Sequence, residues 1–561
     1  MTTSNALTSN QIVRAALVVL LGFLASGVLG IIRTAVFSGT FGASAELDAF
    51  YAAQRIPEMV FTLVAGGALG SSFIPVFSRF LTIEDNIGAW RLASGVMTLS
   101  ATAAATLALF LVVFAPILVP ALLVPGATAP EQSLTTTLTQ LMLITTVIFS
   151  ISGLLMGILN AHQLFLLPSL ALSMNSIGMI LGALVFAHML PPNNTLSLTN
   201  AVKSFVAGRD VFVSAPVWWA NEISKGNVFG LAIGAILGAS LHLLIQLPGL
   251  PRVKARLRLL FDWRVEGVRE VLVLMGPRVL GLAVVQINFA VNIAFASGMA
   301  DGSLVALNTA WFLMFFTLGI IAQSVGTAVF PTLSALVAEN NMDGYRQRLA
   351  SAMSSVLFLA IPATVGLIVL GAPIIAMLFE RGEWDAVDTQ ATAWALGFFA
   401  LGITGHGLLE VLSRAFYALA DTWTPVRVGI AAMISNIVLS VIFIQFIGTD
   451  GSLARGPFAG LALANSLTTL IEAVVLWWLL KRRINGVHDR VVLMGALKTT
   501  VAAVLMGGIV WLVADQMDGQ SVYLVAVAGI AAGGVSFFVL AIALRIEEAR
   551  SIPRMILRRG R

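Results

Sequence analysis

The chain has 561 residues, of which 58% are hydrophobic and 11% charged, against about 25% charged in a soluble globular protein. It contains no cysteine, which excludes disulfides, thiolate metal sites and cysteine nucleophiles. The net charge of +5 is concentrated in loops and the tail, a pattern of membrane orientation rather than nucleic-acid binding.

Long uncharged apolar runs recur along the chain. The expected fold is therefore an all-α polytopic membrane protein, because helices satisfy their own backbone in lipid. A β-barrel would show short alternating segments instead. The opening MTTSNALTSN has no basic n-region, so the apolar run after it reads as a first spanning helix rather than a cleaved signal. About fourteen spans of ~20 residues are expected, at 11–38, 46–80, 91–119, 136–160, 165–190, 226–247, 268–296, 303–335, 350–375, 388–418, 425–447, 457–480, 491–514 and 521–545. Segments 46–80 and 303–335 exceed one span and are expected to tilt, kink or overhang. The 50 glycines suit close helix packing in lipid.

Lysine and arginine set the orientation. Arg252, Lys254, Arg256, Arg258, Arg264 and Arg269 follow the sixth span. Lys481, Arg482, Arg483 and Arg490 follow the twelfth, and six arginines lie in the tail from Arg545 on. Loops 120–135 and 515–520 hold neither residue, so both termini are expected in the cytoplasm. The long external loop 191–227, with Trp218 and Trp219, reads equally as a variable insertion or a functional lid.

The chain also repeats itself. ALGSSFIPVFS (68–78) matches SVGTAVFPTLS (324–334) at an offset of 256, and NAHQLFLLP (160–168) pairs with YALADTWTP (417–425). Two similar halves follow, an arrangement common in transporters with a substrate site between the halves.

A charge in the bilayer core costs at least about 2.5–3.5 kcal/mol and so has a partner or faces a water-filled cavity. Arg33 and Arg55 form a candidate cationic patch for a phosphate-bearing substrate, because the guanidinium fork fits phosphate oxygens. The structural alternative pairs Arg33 with Glu58. Asp48 is expected to fix the start of the second span and Pro57 to kink it. Glu410 and Glu472 are candidate proton or cation sites, or buried hydrogen-bonded carboxyls. Arg278, Arg414 and Lys498 are expected to snorkel toward the interface. There is no phosphate-binding loop, no histidine metal motif and no catalytic arrangement, so neither an enzyme nor a cofactor is expected.

GIIRTAVFSGTFGASAELDAFYAAQRIPE…GGALGSSFIPVFS (30–78) resembles the signature region of the MurJ/MviN family, proposed lipid II flippases of the multidrug/oligosaccharidyl-lipid/polysaccharide exporter superfamily. GILNAHQLFLLPSLALSMNSIG (157–178), QINFAVNIAFAS (286–297) and RAFYALADTWTPVRVGI (414–430) extend the resemblance in order over most of the chain. It implies two six-helix lobes, 1–250 and 251–483, around a central cavity. Two further helices and a basic tail, 484–561, would hold the polyprenyl chain of the substrate. It also implies alternating access for a disaccharide-pentapeptide headgroup in a bacterial cytoplasmic membrane, with arginines of the first, second and eighth helices on the pyrophosphate. Arg33 and Arg55 match two basic positions and Asp48 an acidic one. The family's other cavity charges fall on Gly27, Thr34, Phe61, Thr62, Gly66 and Trp311 or Phe312.

The function expected is thus lipid II flipping. The alternatives are export of another polyprenyl-linked oligosaccharide, or a non-transporting membrane scaffold of the same fold. Expected partners are a polyprenyl-pyrophosphate-linked sugar, membrane lipids and cell-wall synthesis proteins, with no nucleic acid.

Overall fold

The computed structural model describes residues 9–64, 67–190 and 226–550. Loop 191–227 thus falls almost wholly outside the described residues, as do Gly66 and the tail from 551. Among the described residues every regular element is a helix. Among the described residues, eleven helices are long and apolar enough to cross a membrane, or twelve if the pair Ala386–Ala400 and Ile403–Ala418, bent by 43°, forms one span.

Two of the fourteen expected spans, 46–80 and 268–296, include positions or side chains outside the described set and are not among these helices. Segment 46–80 is helical on both sides of residues 65–66, which lie outside the described residues: α2 (Ala45–Val64) carries Glu46, Asp48, Arg55 and Glu58, and α3 (Gly67–Thr82) carries Arg79. Segment 268–296 folds as one helix, with Arg269, Glu270 and Arg278 in its first part and no charged residue from Val279 to Ala296.

The chain packs as two compact units. The first runs to Gly298 and takes in Arg381–Trp384; the second holds Met299–Glu380 and the chain from Asp385 on. The first unit contains α1 (Ser9–Phe41), α2, α3, α4 (Asn86–Leu118), α5 (Ala129–Met142), α6 (Ile144–Ala161), α7 (Leu166–Leu181), α8 (Phe229–Leu244) and α9 (Val268–Ala296). The second contains α10 (Ser303–Leu318), α11 (Ser324–Ala338), α12 (Met342–Phe379), α13 (Ala386–Ala400), α14 (Ile403–Ala418), α15 (Trp423–Phe443), α16 (Phe458–Ile484), α17 (Asp489–Gln516) and α18 (Val522–Ala543). The boundary at 298 leaves α9 with the first unit, where Glu270 pairs with Arg79 at 2.6 Å.

The repeat is visible in backbone detail. Asp85 caps α4 by accepting from Gly88 N at 2.8 Å, and Asn341, 256 positions later, caps α12 by accepting from Gly344 N at 2.9 Å. The preceding residues, Glu84 and Asn340, both take positive φ, 61° and 55°. Gln163 and Ala420, in the second matched pair of segments, do the same at 63° and 57°. In the second long expected segment, a π-turn at Gly319–Gln323 separates α10 from α11. π-turns of this kind occur mostly as single-turn bulges within helices.

Packing in the first unit depends on small residues. α7 and α8 meet along Gly178, Gly182, Gly230, Gly234 and Gly238, spaced by four. A Cβ on Gly234 would lie 2.6 Å from the Gly182 Cα, so only glycine allows this approach. A second core joins α3, α4 and α6 through Phe73, Phe77, Trp90, Leu92, Leu154 and Ile158. In the second unit, α17 and α18 pack on α12 through Phe358, Leu370, Met506, Val510 and Phe537.

Candidate functional site

α2 begins at a serine, not an aspartate. Ser44 Oγ accepts from Leu47 N at 3.4 Å and the Ser44 carbonyl accepts from Asp48 N at 2.9 Å. Asp48 therefore lies inside the first turn, where its charge complements the helix dipole, and Ser44 takes the capping role expected of it. Pro57 sits inside the helix and has no N–H to offer the Ala53 carbonyl one turn back.

Four residues of α2 meet at a cavity of about 420 Å³ inside the first unit. Gln54, Pro57 and Glu58 line it together with Phe61, Phe149, Asn160, Asn175, Met179 and His242, among others. The volume is that of a small-molecule site, about 300–1,000 Å³. Its wall is mostly apolar, with amide groups from Gln54, Asn160 and Asn175 and one carboxylate, Glu58. His242 is fixed from behind: its Nδ1 lies 2.6 Å from Ser152 Oγ, and Gln246 Nε2 donates to the same hydroxyl at 2.7 Å.

Arg55 stands beside this wall. Its Nη1 is 3.2 Å from Glu58 Oε2, with the arginine side chain 14% exposed and the glutamate 44%. The same nitrogen donates to Gln286 Oε1 at 3.5 Å, Gln286 Nε2 donates to Thr62 Oγ1 at 3.3 Å, and the guanidinium lies 4.4 Å from the centre of the Phe289 ring. Arg55 Nε is buried with no hydrogen-bond partner among the described residues. A guanidinium has five donors, so this one retains capacity for an anion. Arg33 of α1 is not a lining residue, but its Nη1 contacts Sδ of Met179, which is, at 3.6 Å. The expected alternative of an Arg33–Glu58 pair is not formed, because Arg55, one turn away on the same helix, takes the glutamate.

The remaining charges belong to the second unit. Glu410 is held by Arg414 at 2.6 Å across one turn of α14, and Gly326 of α11 lies against that guanidinium. Arg414 is thus folded inward onto Glu410 and does not snorkel as expected. Its Nη1 is buried with no partner among the described residues. Glu472 on α16 is half-buried, near Gly429 of α15, and has no hydrogen bond or ion pair among the described residues. The side chain of Arg278 lies outside the described residues. No group of three or more His, Asp or Glu able to hold a metal ion occurs among the described residues.

Sequence reasoning did not single out Gln286, Phe289, Asn160, Asn175 or Met179. All but Met179 lie inside segments that carry the family resemblance, so the signal was present without an assigned role.

The comparisons bear on the whole chain. The sequence model described as "Lipid II flippase MurJ" matches residues 37–531. A "Probable lipid II flippase MurJ" of Vibrio cholerae is 30% identical over 525 residues, covering 92% of this chain and 91% of the relative. A "Lipid II flippase MurJ" of Burkholderia cenocepacia is 28% identical over 475 residues, covering 83% and 84%. Among solved structures, a lipid II flippase MurJ in an inward closed conformation superposes with TM-score 0.73 at 23% identity, covering 94% of this chain and 99% of that one. An inward-facing MATE-family multidrug transporter of the MOP superfamily superposes with TM-score 0.62 at 15% identity, covering 82% of this chain and 94% of that one. The fold is therefore that of these multi-pass membrane transporters, and the chain belongs to the MurJ family.

Proposed function

We propose that this protein is a lipid II flippase of a bacterial cytoplasmic membrane. It moves the polyprenyl-pyrophosphate-linked disaccharide-pentapeptide from the inner to the outer leaflet by alternating access, with both termini in the cytoplasm. Family membership across residues 37–531 supports the reading. The observation that carries it is Arg55, a mostly buried guanidinium whose Nε has no partner among the described residues, beside a mostly apolar cavity that presents three side-chain amides.

In this account Arg55 and Arg33 supply donors to the pyrophosphate. Glu58 holds Arg55 until the anion competes for it, so loading exchanges an internal ion pair for a substrate contact. Gln54, Asn160 and Asn175 offer both donors and acceptors, which suits sugar hydroxyls and peptide amides. Helices α17 and α18 carry the polyprenyl chain. Coupling to an ion or proton falls to Glu472 rather than Glu410, whose carboxylate Arg414 already engages. Enzymes of cell-wall synthesis are the natural donors and acceptors of the cargo.

The test is complementation. In a bacterium depleted of its own flippase, this chain restores growth, and Arg55→Ala or Arg33→Ala abolishes rescue at unchanged membrane level. Loss of rescue by neither variant would count against the assignment of the pyrophosphate site.

A further inference from the structure

Between α8 and α9 the chain forms a basic strap on α4. Residues 255–262 run without helix or turn. Val253, Ala255, Leu257 and Leu260 pack on the core of α3, α4 and α6, and Val265 and Val268 are buried in it. Two backbone hydrogen bonds pin the strap: Arg258 N donates to Ser94 Oγ at 3.1 Å and Leu260 N to Thr98 Oγ1 at 3.0 Å. Gly95 lies between these anchors, and a Cβ there would stand 3.2 Å from Val268 and 3.7 Å from the Asp262 carbonyl. Asp262 Oδ1 then accepts from Arg264 N at 2.9 Å and closes the turn.

This fixed backbone turns three large apolar side chains outward. Leu259 is 81% exposed, Phe261 72% and Trp263 70%. Arg256, Arg258 and Arg264 are exposed among them. The strap's height on α4 indicates what covers it. The apolar helix Asn86–Leu123 has 38 residues, about 57 Å at 1.5 Å per residue, against about 30 Å of hydrocarbon. Its charged part ends at Arg91, and no charged residue follows until Glu131. Ser94 and Thr98 thus mark the level where α4 passes from the charged stretch into the uncharged one. A Trp, a Phe and a Leu interleaved with arginines at that level have the composition of a membrane interface.

We propose that residues 255–264 form a binding site for anionic phospholipid. Arg256, Arg258 and Arg264 contact the phosphate headgroups, while Leu259, Phe261 and Trp263 enter the upper acyl region. The strap thereby fixes the first unit's depth in the leaflet, independently of what the protein transports.

The absence of cysteine makes the test direct. Phe261→Cys is labelled with a polarity-sensitive fluorophore, and the full chain is reconstituted in phosphatidylcholine vesicles with and without phosphatidylglycerol. Nitroxide lipids labelled near the headgroup quench the fluorophore more than aqueous iodide does, and phosphatidylglycerol increases that quenching several-fold. Arg256→Gln, Arg258→Gln and Arg264→Gln together, all exposed positions, remove the phosphatidylglycerol increment and leave the protein inserted. A fluorophore open to iodide and untouched by nitroxide lipid, as expected if an acidic protein covers the strap, overturns the proposal. Lipid quenching indifferent to phosphatidylglycerol does so too.

Discussion

Arg55 and Glu58 lie three residues apart on α2 and form an ion pair at 3.2 Å, with the glutamate lining the first unit's cavity and the arginine behind it. The pair makes two variants diverge. Arg55→Ala removes charge-assisted hydrogen bonds of roughly 1.5–3 kcal/mol each, so affinity for a pyrophosphate lipid falls about tenfold or more. Glu58→Gln removes the internal competitor, and the same affinity rises. Arg55→Lys keeps the charge without the fork and restores little. Binding of lipid II to the detergent-solubilised variants distinguishes these outcomes; a fall in both Ala and Gln variants would mean that the pair is structural.

Glu410 and Arg414 are a second one-turn pair, packed under Gly326. Glu410→Gln leaves a buried guanidinium without its counter-charge, at a cost of roughly 1–3 kcal/mol. Arg414→Gln costs a similar amount, and the double variant costs less than the sum. Thermal unfolding followed by tryptophan fluorescence gives the cycle. Additive losses would show that the two side chains act independently.

Asp421 ties the turn after α14 to the end of α16. Burial alone would raise its carboxyl pKa, but hydrogen bonds from Thr424 N at 3.0 Å and Thr424 Oγ1 at 2.8 Å, with the Arg483 ion pair, hold it below the ordinary aspartate value. A carboxyl depressed in the folded state stabilises above its unfolded pKa, about 3.9, and loses that stabilisation as pH falls through the folded value. Asp421→Asn should therefore lower the melting temperature at neutral pH, with the difference from the parent shrinking below about pH 4. A pH-independent difference would remove the carboxylate's charge from the explanation.

The glycine stripe between α7 and α8 has a built-in control. Gly234→Val forces a side chain against the Gly182 backbone and should cost several kcal/mol, above the 1–3 typical of overpacking, since the backbone cannot step aside. Gly495→Ala, with nothing within 4 Å of the added Cβ, should be neutral or stabilising. Equal effects on detergent-state melting would contradict the close approach.

The helical architecture and the internal repeat were legible because both are local. Hydropathy marks spans, and SVGTAVFPTLS repeats ALGSSFIPVFS at the same offset of 256 that relates the caps at Asp85 and Asn341 in the structure. Pairings between distant segments were not legible. Nothing local to Ser152 says that it will meet His242 and Gln246, and nothing local to Gln286 says that its helix packs beside Arg55. Asp48 was assigned the cap because aspartate is a good capping residue, yet Ser44 stands at the turn itself. Arg414 was read as a snorkelling terminus because its position near a helix end was visible and its partner one turn back was not weighed.

The most direct measurement is mass spectrometry of the lipids retained by the full chain after mild purification from a bacterial membrane, for the parent and for Arg33→Ala and Arg55→Ala. The account predicts a polyprenyl pyrophosphate bearing a disaccharide-pentapeptide on the parent, depleted on both variants while ordinary phospholipid is retained. Phospholipid alone on the parent in repeated preparations, or lipid II retained equally by all three, would contradict it.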